Sequence, residues 1–136
     1  IMEEKISLEI VTPDRQVVKE MVDEVTAPGT LGYFGALPGH IPFLTTLRIG
    51  EIAYRKDRGT RYLAVSWGYA EVGPEKVVIL AETAEAAEEI DVDRAQKART
   101  RAEQRLKEGS PDMDFHRARV ALEKALIRVQ VAGRKM

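Results

Sequence analysis

Residues 90–111 read IDVDRAQKARTRAEQRLKEGSP, and they mark the point where the chain changes from strand to helix. Small and apolar side chains recur there at helical spacing, as Ala95, Ala98, Ala102 and Leu106. This spacing puts them on one stripe of a helix. Asp91 is a favourable N-cap, while Gly109 and Pro111 end the helix. The stretch therefore predicts one helix between Asp91 and Gly109.

A second helical segment follows after this short break. It starts between Ser110 and Asp114, runs to about Val131, and presents an inner stripe of Phe115, Ala118, Ala121, Leu122, Ala125, Leu126 and Val129. So short a link forces the two helices into an antiparallel hairpin. A buried Leu contributes roughly 1.5–3 kcal/mol and a methyl group only about 0.8 kcal/mol. We therefore predict a weakly closed, movable hairpin; the alternative is a permanently docked one.

The residues before this hairpin follow the period of β-strands. Ile6, Leu8 and Ile10 alternate with other residues, as in a half-buried strand. Similar short runs are separated by turn sequences at Pro13-Asp14, Pro28-Gly29, Asp57-Arg58-Gly59 and Gly73-Pro74. The pattern indicates a sandwich or flattened barrel. The predicted fold class is all-β plus α, with a β-sandwich in residues 1–87 and a helical hairpin in residues 88–136.

The composition excludes several functional classes. The chain has no cysteine, so disulfides, thiolate metal sites and cysteine nucleophiles are absent. Its net charge of -1 predicts no affinity for nucleic acid or acidic lipid. No apolar run approaches the roughly 20 residues of a membrane span. The two histidines, His40 and His116, are far apart and fit no triad or metal-ligand spacing, so a binding role is favoured over catalysis.

Residues 28–42, PGTLGYFGALPGHIP, form a loop rich in glycine and proline. Glycine permits positive φ and proline fixes φ, so this mixture specifies a shaped loop. Its apolar side chains, among them Tyr33, Phe34 and Leu37, suit a docking surface. The composition equally allows them to fold inward and cap the sandwich.

Five segments occur in order along the chain: Thr12-Pro13, LPGHIP at 37–42 with Leu44-Thr45, SWGYAEV at 66–72, AETAE at 81–85 and IDVDRA at 90–95. This series resembles the epsilon subunit of rotary (F-type) ATP synthases. The resemblance implies a β-sandwich of about ten strands followed by a two-helix hairpin. The complete Ile-Asp-x-x-Arg-Ala motif favours the bacterial or chloroplast type over the shorter mitochondrial relative called delta.

The resemblance implies a non-catalytic subunit of the central stalk. The sandwich is expected to bind the gamma subunit and the ring of c subunits, helping to couple ion flow to ATP synthesis. The extended hairpin is expected to reach the alpha and beta catalytic subunits and inhibit ATP hydrolysis. The expected location is the cytoplasmic face of the bacterial membrane, or the stromal side of the thylakoid, with the membrane contacted only through the complex. The alternative is a free-standing ligand-binding sandwich with an inert helical cap.

The resemblance also assigns residues to the glycine- and proline-rich loop. Tyr33 corresponds to the loop tip that faces the c-ring, and its neighbours that shape the loop are Leu31, Gly32, Phe34 and His40. His40 lies between prolines and beside a glycine, and is better interpreted as a structural hydrogen-bonding residue than as a general base.

Some bacterial members bind ATP on the folded hairpin through the Ile-Asp-x-x-Arg-Ala motif and basic residues of the second helix. The corresponding residues here are Glu85, Ile90, Asp91, Arg94, Ala95, Arg101, Lys124 and Arg128. Lys124 replaces an arginine and lacks its planar fork for phosphate. No Gly-x-x-x-x-Gly-Lys-Ser/Thr loop is present, so ATP is expected as a sensed regulatory ligand and no cofactor is required. The alternative is that Asp91 is only an N-cap, and Arg94 and Arg128 are solvated charges.

Overall fold

The computed structural model describes residues 4–135, which form eight β-strands followed by two α-helices. The strands are β1 (Ile6–Val11), β2 (Gln16–Val22), β3 (Glu24–Gly29), β4 (Gly32–Ala36), β5 (Phe43–Leu47), β6 (Gly50–Lys56), β7 (Gly59–Val72) and β8 (Lys76–Ala86). A 3-10 turn (Ala87–Glu89) leads into α1 (Val92–Glu108) and α2 (Phe115–Ala132). The predicted fold class is confirmed. The outer limits of the predicted domains, residues 1 and 136, lie outside the described residues.

The strand number is eight rather than about ten, and β7 explains part of the difference. The sequence pattern predicts two strands there, 61–65 and 69–72, but the structure has one strand of 14 residues. Its backbone bends at Trp67 (φ 45°) and Gly68 (φ 142°) without losing its hydrogen bonds to β8 on either side. A Cβ at residue 68 would lie 1.9 Å from the Leu80 carbonyl oxygen, so only glycine fits this bend.

The bend lets β7 pair with two different partners. The strands follow the order β2-β1-β8-β7-β5-β3-β4, and β6 pairs with β3 and β7. Residues 59–65 of β7 pair with β6, and residues 68–72 pair with β5. All pairs are antiparallel except β1 with β8. This arrangement closes the strands around one apolar core.

The core is made of branched side chains that point inward at every second position. Ile6, Leu8 and Ile10 of β1 are fully buried, as the alternation in the sequence predicts. They belong to a cluster whose members come only from the strands. The sandwich therefore has a core of its own that does not use the helices.

A polar brace joins two corners of the sandwich around Asp23. The Lys5 ammonium donates to one oxygen of the Asp23 carboxylate at 2.7 Å, and the Asp57 N–H donates to the other at 2.8 Å. The hydrogen bond from Lys5 lowers the pKa of Asp23, outweighing the burial that would raise it. The brace holds the β2–β3 corner against the β6–β7 turn.

The hairpin has the helix ends that the sequence predicts. The Asp91 carboxylate accepts the Arg94 N–H at 3.1 Å, and Asp114 accepts the Arg117 N–H at 3.0 Å. Gly109 ends α1 in the left-handed conformation. These caps place the break between α1 and α2 where the pattern indicates it.

The seam between the helices is narrower than predicted. Its buried residues are alanines, namely Ala95 and Ala102 of α1 with Ala118 and Ala125 of α2. Three residues predicted on the inner stripe are instead exposed: Phe115, Ala121 and Leu126. Because alanines let the helix axes come close together, only the centre of the stripe is covered and the flanking side chains stay outside.

Candidate functional site

The hairpin packs against the sandwich through a small apolar cluster, which we call the docking cluster. Its buried members are Ala64, Ala87, Ile90, Ala95, Val131 and Ala132. They come from β7, from the link before α1, and from the two ends of the hairpin that lie next to each other. Four of the six are alanines, and the larger Tyr62, Val92, Ile127 and Val129 that pack against them are only partly buried, so the cluster is smaller than the sandwich core.

An open cavity of about 440 Å³ lies beside this cluster, between the sandwich and α2. Its lining combines polar and charged side chains from both parts of the molecule. Arg15, Ser66, Thr83 and Glu85 come from the sandwich side, and Lys124 and Arg128 from α2. Three cations (Arg15, Lys124 and Arg128) and three carboxylates (Asp14, Glu82 and Glu85) line the cavity, so it offers hydrogen-bond donors to a phosphate group but its lining carries no net charge.

Arg128 and Glu85 form the strongest polar contact across the cavity. Arg128 donates to both oxygens of the Glu85 carboxylate, from Nε at 2.8 Å and from Nη2 at 3.2 Å. Both side chains are about two-thirds buried. This two-pronged geometry is specific to arginine, and it ties the middle of α2 to the end of β8.

Lys124 makes a second contact between α2 and the sandwich. Its ammonium lies 4.5 Å from the centroid of the Trp67 ring, over the face of the indole. Such a cation over an aromatic face is attracted by the ring quadrupole. Trp67 is presented in this way because the bend of β7 turns its side chain toward α2.

The residues predicted to bind ATP fall into four places. Glu85, Lys124 and Arg128 line the cavity. Ile90 and Ala95 are buried in the docking cluster. Asp91 caps α1, with Arg94 exposed beside it. Arg101 lies in a shallow groove along α1 with other polar side chains.

Two residues at this site were not predicted from the sequence: Arg15, which lines the cavity, and Trp67, which lies beside it under Lys124. Arg15 follows the Pro13-Asp14 turn and donates to the Glu89 carboxylate at 2.9 Å and 3.1 Å. This hydrogen bond lowers the pKa of Glu89. Trp67 lies in the SWGYAEV segment, but nothing in that segment indicates a contact with α2. Arg15 and Glu89 are 74 positions apart, so no local pattern predicts their contact.

The glycine- and proline-rich loop forms a second candidate surface. Leu31 is 101% exposed at the β3–β4 turn, and Gly32 follows with φ 135°, a conformation suited to glycine. Tyr33 is half exposed; its hydroxyl accepts the Glu51 N–H at 3.0 Å, and the Arg48 guanidinium lies 4.9 Å from its ring centroid. The side chain is thus held in a fixed direction while one face stays open.

The rest of this loop is ordered by local contacts. Phe34 is half-buried and packs edge-on against Phe43 with ring centroids 5.4 Å apart. His40 is tied to its own loop, since its N–H donates to the Leu37 carbonyl at 3.1 Å and its ring nitrogen contacts the Ile41 carbonyl. Five large apolar side chains in residues 31–44 are exposed. We call them the loop surface: Leu31, Tyr33, Leu37, Ile41 and Leu44.

A further exposed apolar surface lies on the strands β7 and β8, and we call it the strand surface. Tyr69 and Leu80 are cross-strand partners in it, and Trp67 lies at its edge. Pro13 and Thr12 border the same shallow depression. Large exposed apolar groups in adjacent positions are typical of a subunit interface.

Comparisons with known proteins agree with this architecture. The family model described as "ATP synthase, Delta/Epsilon chain, beta-sandwich domain" matches residues 5–87. The model described as "ATP synthase, Delta/Epsilon chain, long alpha-helix domain" matches residues 88–133. The chain belongs to the epsilon-subunit family of F-type ATP synthases.

Relatives of this family match over nearly the whole chain. The chain is 54% identical to "ATP synthase epsilon chain 2" of Syntrophotalea carbinolica and 56% identical to the epsilon chain of Geotalea daltonii, each over 98% of this chain and 97% of the relative. A chain in the cryo-EM structure of the Euglena gracilis mitochondrial ATP synthase (OSCP/F1/c-ring) is 26% identical with a TM-score of 0.81, covering 94% of this chain and 81% of that one.

Membership of the epsilon family makes this chain a non-catalytic accessory subunit of an ATP synthase. It also argues against a free-standing ligand-binding sandwich. Across residues 4–135, neither helix has the length and hydropathy needed to cross a membrane.

Proposed function

We propose that this chain works in the central stalk, where its sandwich couples ion flow to ATP synthesis and its hairpin inhibits ATP hydrolysis. In this proposal the loop surface binds the c-ring and the strand surface binds the gamma subunit. The complex then holds the chain at the cytoplasmic face of a bacterial membrane. The sandwich carries two separate exposed apolar surfaces, and this supports a role in which it binds two partner subunits at once.

Leu31 offers the sharpest test of the loop surface. Its side chain is wholly exposed, so Leu31→Asp should leave the free energy of unfolding within about 0.5 kcal/mol of the original. The same change should weaken assembly with isolated c-rings, because a charge replaces an apolar contact. Lys19→Asp, on an exposed position of β2, is the matched control. Equal binding of the two variants to c-rings would refute the assignment of this surface.

The observation that carries the inhibitory role is the weak attachment of the hairpin. Alanines are the buried residues of its internal seam and four of the six buried members of the docking cluster, and the larger side chains packed against that cluster are only partly buried. When open, the helices would offer the catalytic subunits a stripe of apolar side chains, including the already exposed Phe115 and Leu126. A docked and an extended state separated by a few kcal/mol form a two-state switch.

Deletion of residues 91–136 tests this role directly. The sandwich should stay folded, because its core uses only strand residues. An ATP synthase reconstituted with the shortened chain should hydrolyse ATP faster than one with the full chain, while its ATP synthesis persists. If both complexes hydrolyse ATP at the same rate, the hairpin is not an inhibitor.

We further propose that the docked hairpin senses ATP. Lys124 and Arg128 in the cavity are the cations that would donate to phosphate groups. Since Glu85 already neutralises Arg128, the nucleotide has to share or displace this carboxylate. ATP would then favour the docked state by mass action.

Calorimetry with ATP up to millimolar concentration tests the sensing proposal. Binding should raise the unfolding temperature, since a ligand at 100 times its Kd stabilises a protein by about 2.7 kcal/mol. Arg128→Ala should reduce this shift, and Arg119→Ala should keep it, because Arg119 is exposed and its ion pair with Glu123 lies within its own helix. An unchanged melting temperature and unchanged amide NMR spectra of the original chain would remove the proposal.

A further inference from the structure

The last residues of the structure make a group of contacts that the roles above do not use. The Arg134 guanidinium donates to both oxygens of the Glu51 carboxylate, from Nε at 3.2 Å and from Nη2 at 3.3 Å. The Glu51 side chain is only 11% exposed, on strand β6. The same guanidinium lies 4.9 Å from the ring centroid of Tyr62 on β7. One side chain thus joins the end of the hairpin to two strands.

Lys135 adds a contact to the opposite end of the hairpin. Its ammonium donates to the Ile90 carbonyl at 3.0 Å, in the link just before α1. Ile90 is itself buried in the docking cluster beside Val131 and Ala132. The tail end of α2 is therefore fastened both to the sandwich and to the start of α1.

The position of these contacts gives them influence over the whole hairpin. Val131 and Ala132 are the α2 residues buried in the docking cluster, and Arg134 and Lys135 follow them after Gly133. If the end of α2 leaves the sandwich, the cluster loses the side chains that cover Ala64 and Ile90. The alanine seam then holds α2 to α1, and only the Arg128–Glu85 pair and the Lys124–Trp67 contact still hold it to the sandwich.

We propose that Val131, Ala132, Arg134 and Lys135 form a C-terminal latch that sets whether the hairpin is docked on the sandwich. Arg134 with Glu51 and Tyr62 is its polar part, and Val131 with Ala132 is its apolar part. Concentrated salt weakens the latch, because its charges are only partly buried. The role of the latch in the enzyme rests on the proposed function, in which the hairpin inhibits ATP hydrolysis. Docking of the hairpin on the sandwich is a property of the isolated chain and can be tested without the enzyme.

The single tryptophan of the chain reports docking without any added label. Trp67 lies under Lys124 of α2 and is 37% exposed in the docked state. When α2 leaves, the indole loses this cover and becomes more accessible to acrylamide. Quenching of Trp67 fluorescence in the full chain therefore measures the undocked fraction.

The test compares Arg134→Ala with Arg119→Ala in the full chain. Arg134→Ala should increase acrylamide quenching of Trp67 and speed amide exchange in α1 and α2 by about threefold to tenfold. Exchange in β1 and β8 should not change, because the latch lies outside the sandwich core. Salt at 1 M should increase quenching in the original chain and increase it less in Arg134→Ala, where the Arg134–Glu51 pair is already lost and the Arg128–Glu85 pair remains.

Charge reversal separates the latch from a general loss of stability. Arg134→Glu should undock the hairpin, and Arg134→Glu combined with Glu51→Arg should restore low quenching because the pair is re-formed. The latch is overturned if Arg134→Ala behaves as Arg119→Ala does, or if β1 and β8 exchange faster by the same factor as the helices.

ATPase assays distinguish failure of the latch from failure of the proposed function. If Arg134→Ala undocks the hairpin but leaves inhibition of the reconstituted enzyme unchanged, the latch stands and the inhibitory role fails. If deletion of residues 91–136 relieves inhibition while Arg134→Ala leaves quenching and exchange unchanged, the inhibitory role stands and the latch fails.

Discussion

The sandwich and the hairpin of this chain are built from different side chains. The sandwich buries large branched residues completely, among them Leu8, Ile52 and Leu63. The hairpin buries alanines in its seam, and it meets the sandwich through a cluster whose buried members are mostly alanines. A buried Leu contributes roughly 1.5–3 kcal/mol against about 0.8 kcal/mol for a methyl group. The same chain thus contains one strongly held part and one weakly held part.

This difference assigns separate tasks to the two parts. A subunit that binds other subunits through fixed surfaces needs a rigid body, which the sandwich core provides. A regulatory element has to leave its docked position at a small free-energy cost, which the alanine contacts allow. Ion pairs such as Arg128–Glu85 then tune the docked state without adding much apolar burial.

Loss of a large core side chain should have the greatest effect on stability. Leu8→Ala leaves a cavity in the fully buried core and should lower the free energy of unfolding by about 2–5 kcal/mol. Chemical denaturation followed by circular dichroism measures this loss. A loss below 1 kcal/mol would mean that the sandwich is not the strongly held part.

Overfilling the alanine seam should open the hairpin and spare the sandwich. Ala102 is buried in the seam, so Ala102→Leu should force the helices apart at a cost of about 1–3 kcal/mol. Amide exchange should accelerate in α1 and α2 alone. Ala121→Leu, on the exposed side of α2, is the control and should leave exchange as it was. Faster exchange in β1 and β8 as well would show that the two parts unfold together.

Restoring an arginine at residue 124 should sharpen the response of the hairpin to ATP. Lys124→Arg supplies a planar fork that binds phosphate in two places, so ATP affinity should rise about threefold to tenfold. Titration calorimetry measures the change, and Arg119→Lys is the control for an arginine–lysine exchange outside the cavity. Equal affinities of Lys124→Arg and the original chain would place residue 124 outside the nucleotide site.

The smallest expected effect concerns the polar brace at Asp23. The pKa of Asp23 is lower in the folded state than in the unfolded state. The stabilisation by the ionised Asp23 carboxylate is therefore fully present above the ordinary pKa of an aspartate, and it is lost as the pH falls through the lowered pKa. Asp23→Asn should therefore unfold at a lower temperature than the original at neutral pH, and the two should converge in strong acid. Thermal scans from pH 2 to pH 7 measure this, and a constant difference over that range would exclude the brace as the cause.

Local patterns in the sequence account for most of the fold. The alternation in β1, the caps at Asp91 and Asp114, and the Gly109 ending are set by neighbouring residues, so they are readable without a structure. The strand number was harder to predict, because residues 66–68 look like a break between strands. In the structure, Trp67 and Gly68 bend one continuous strand instead.

Contacts between distant segments could not be predicted in the same way. Glu85 and Arg128 are 43 residues apart, and Glu51 and Arg134 are 83 residues apart. Their pairing depends on where the hairpin lies on the sandwich, and no spacing in the sequence encodes this position. The stripe of α2 was predicted too wide for a related reason, since Phe115 and Leu126 are apolar but the close approach of the helices leaves them uncovered.

Amide hydrogen exchange of the isolated full chain tests the central claim most directly. The account predicts that α1 and α2 exchange much faster than β1 and β8, and that ATP slows the helices while leaving the strands unchanged. Helices protected as strongly as β1 and β8, with and without ATP, would contradict it.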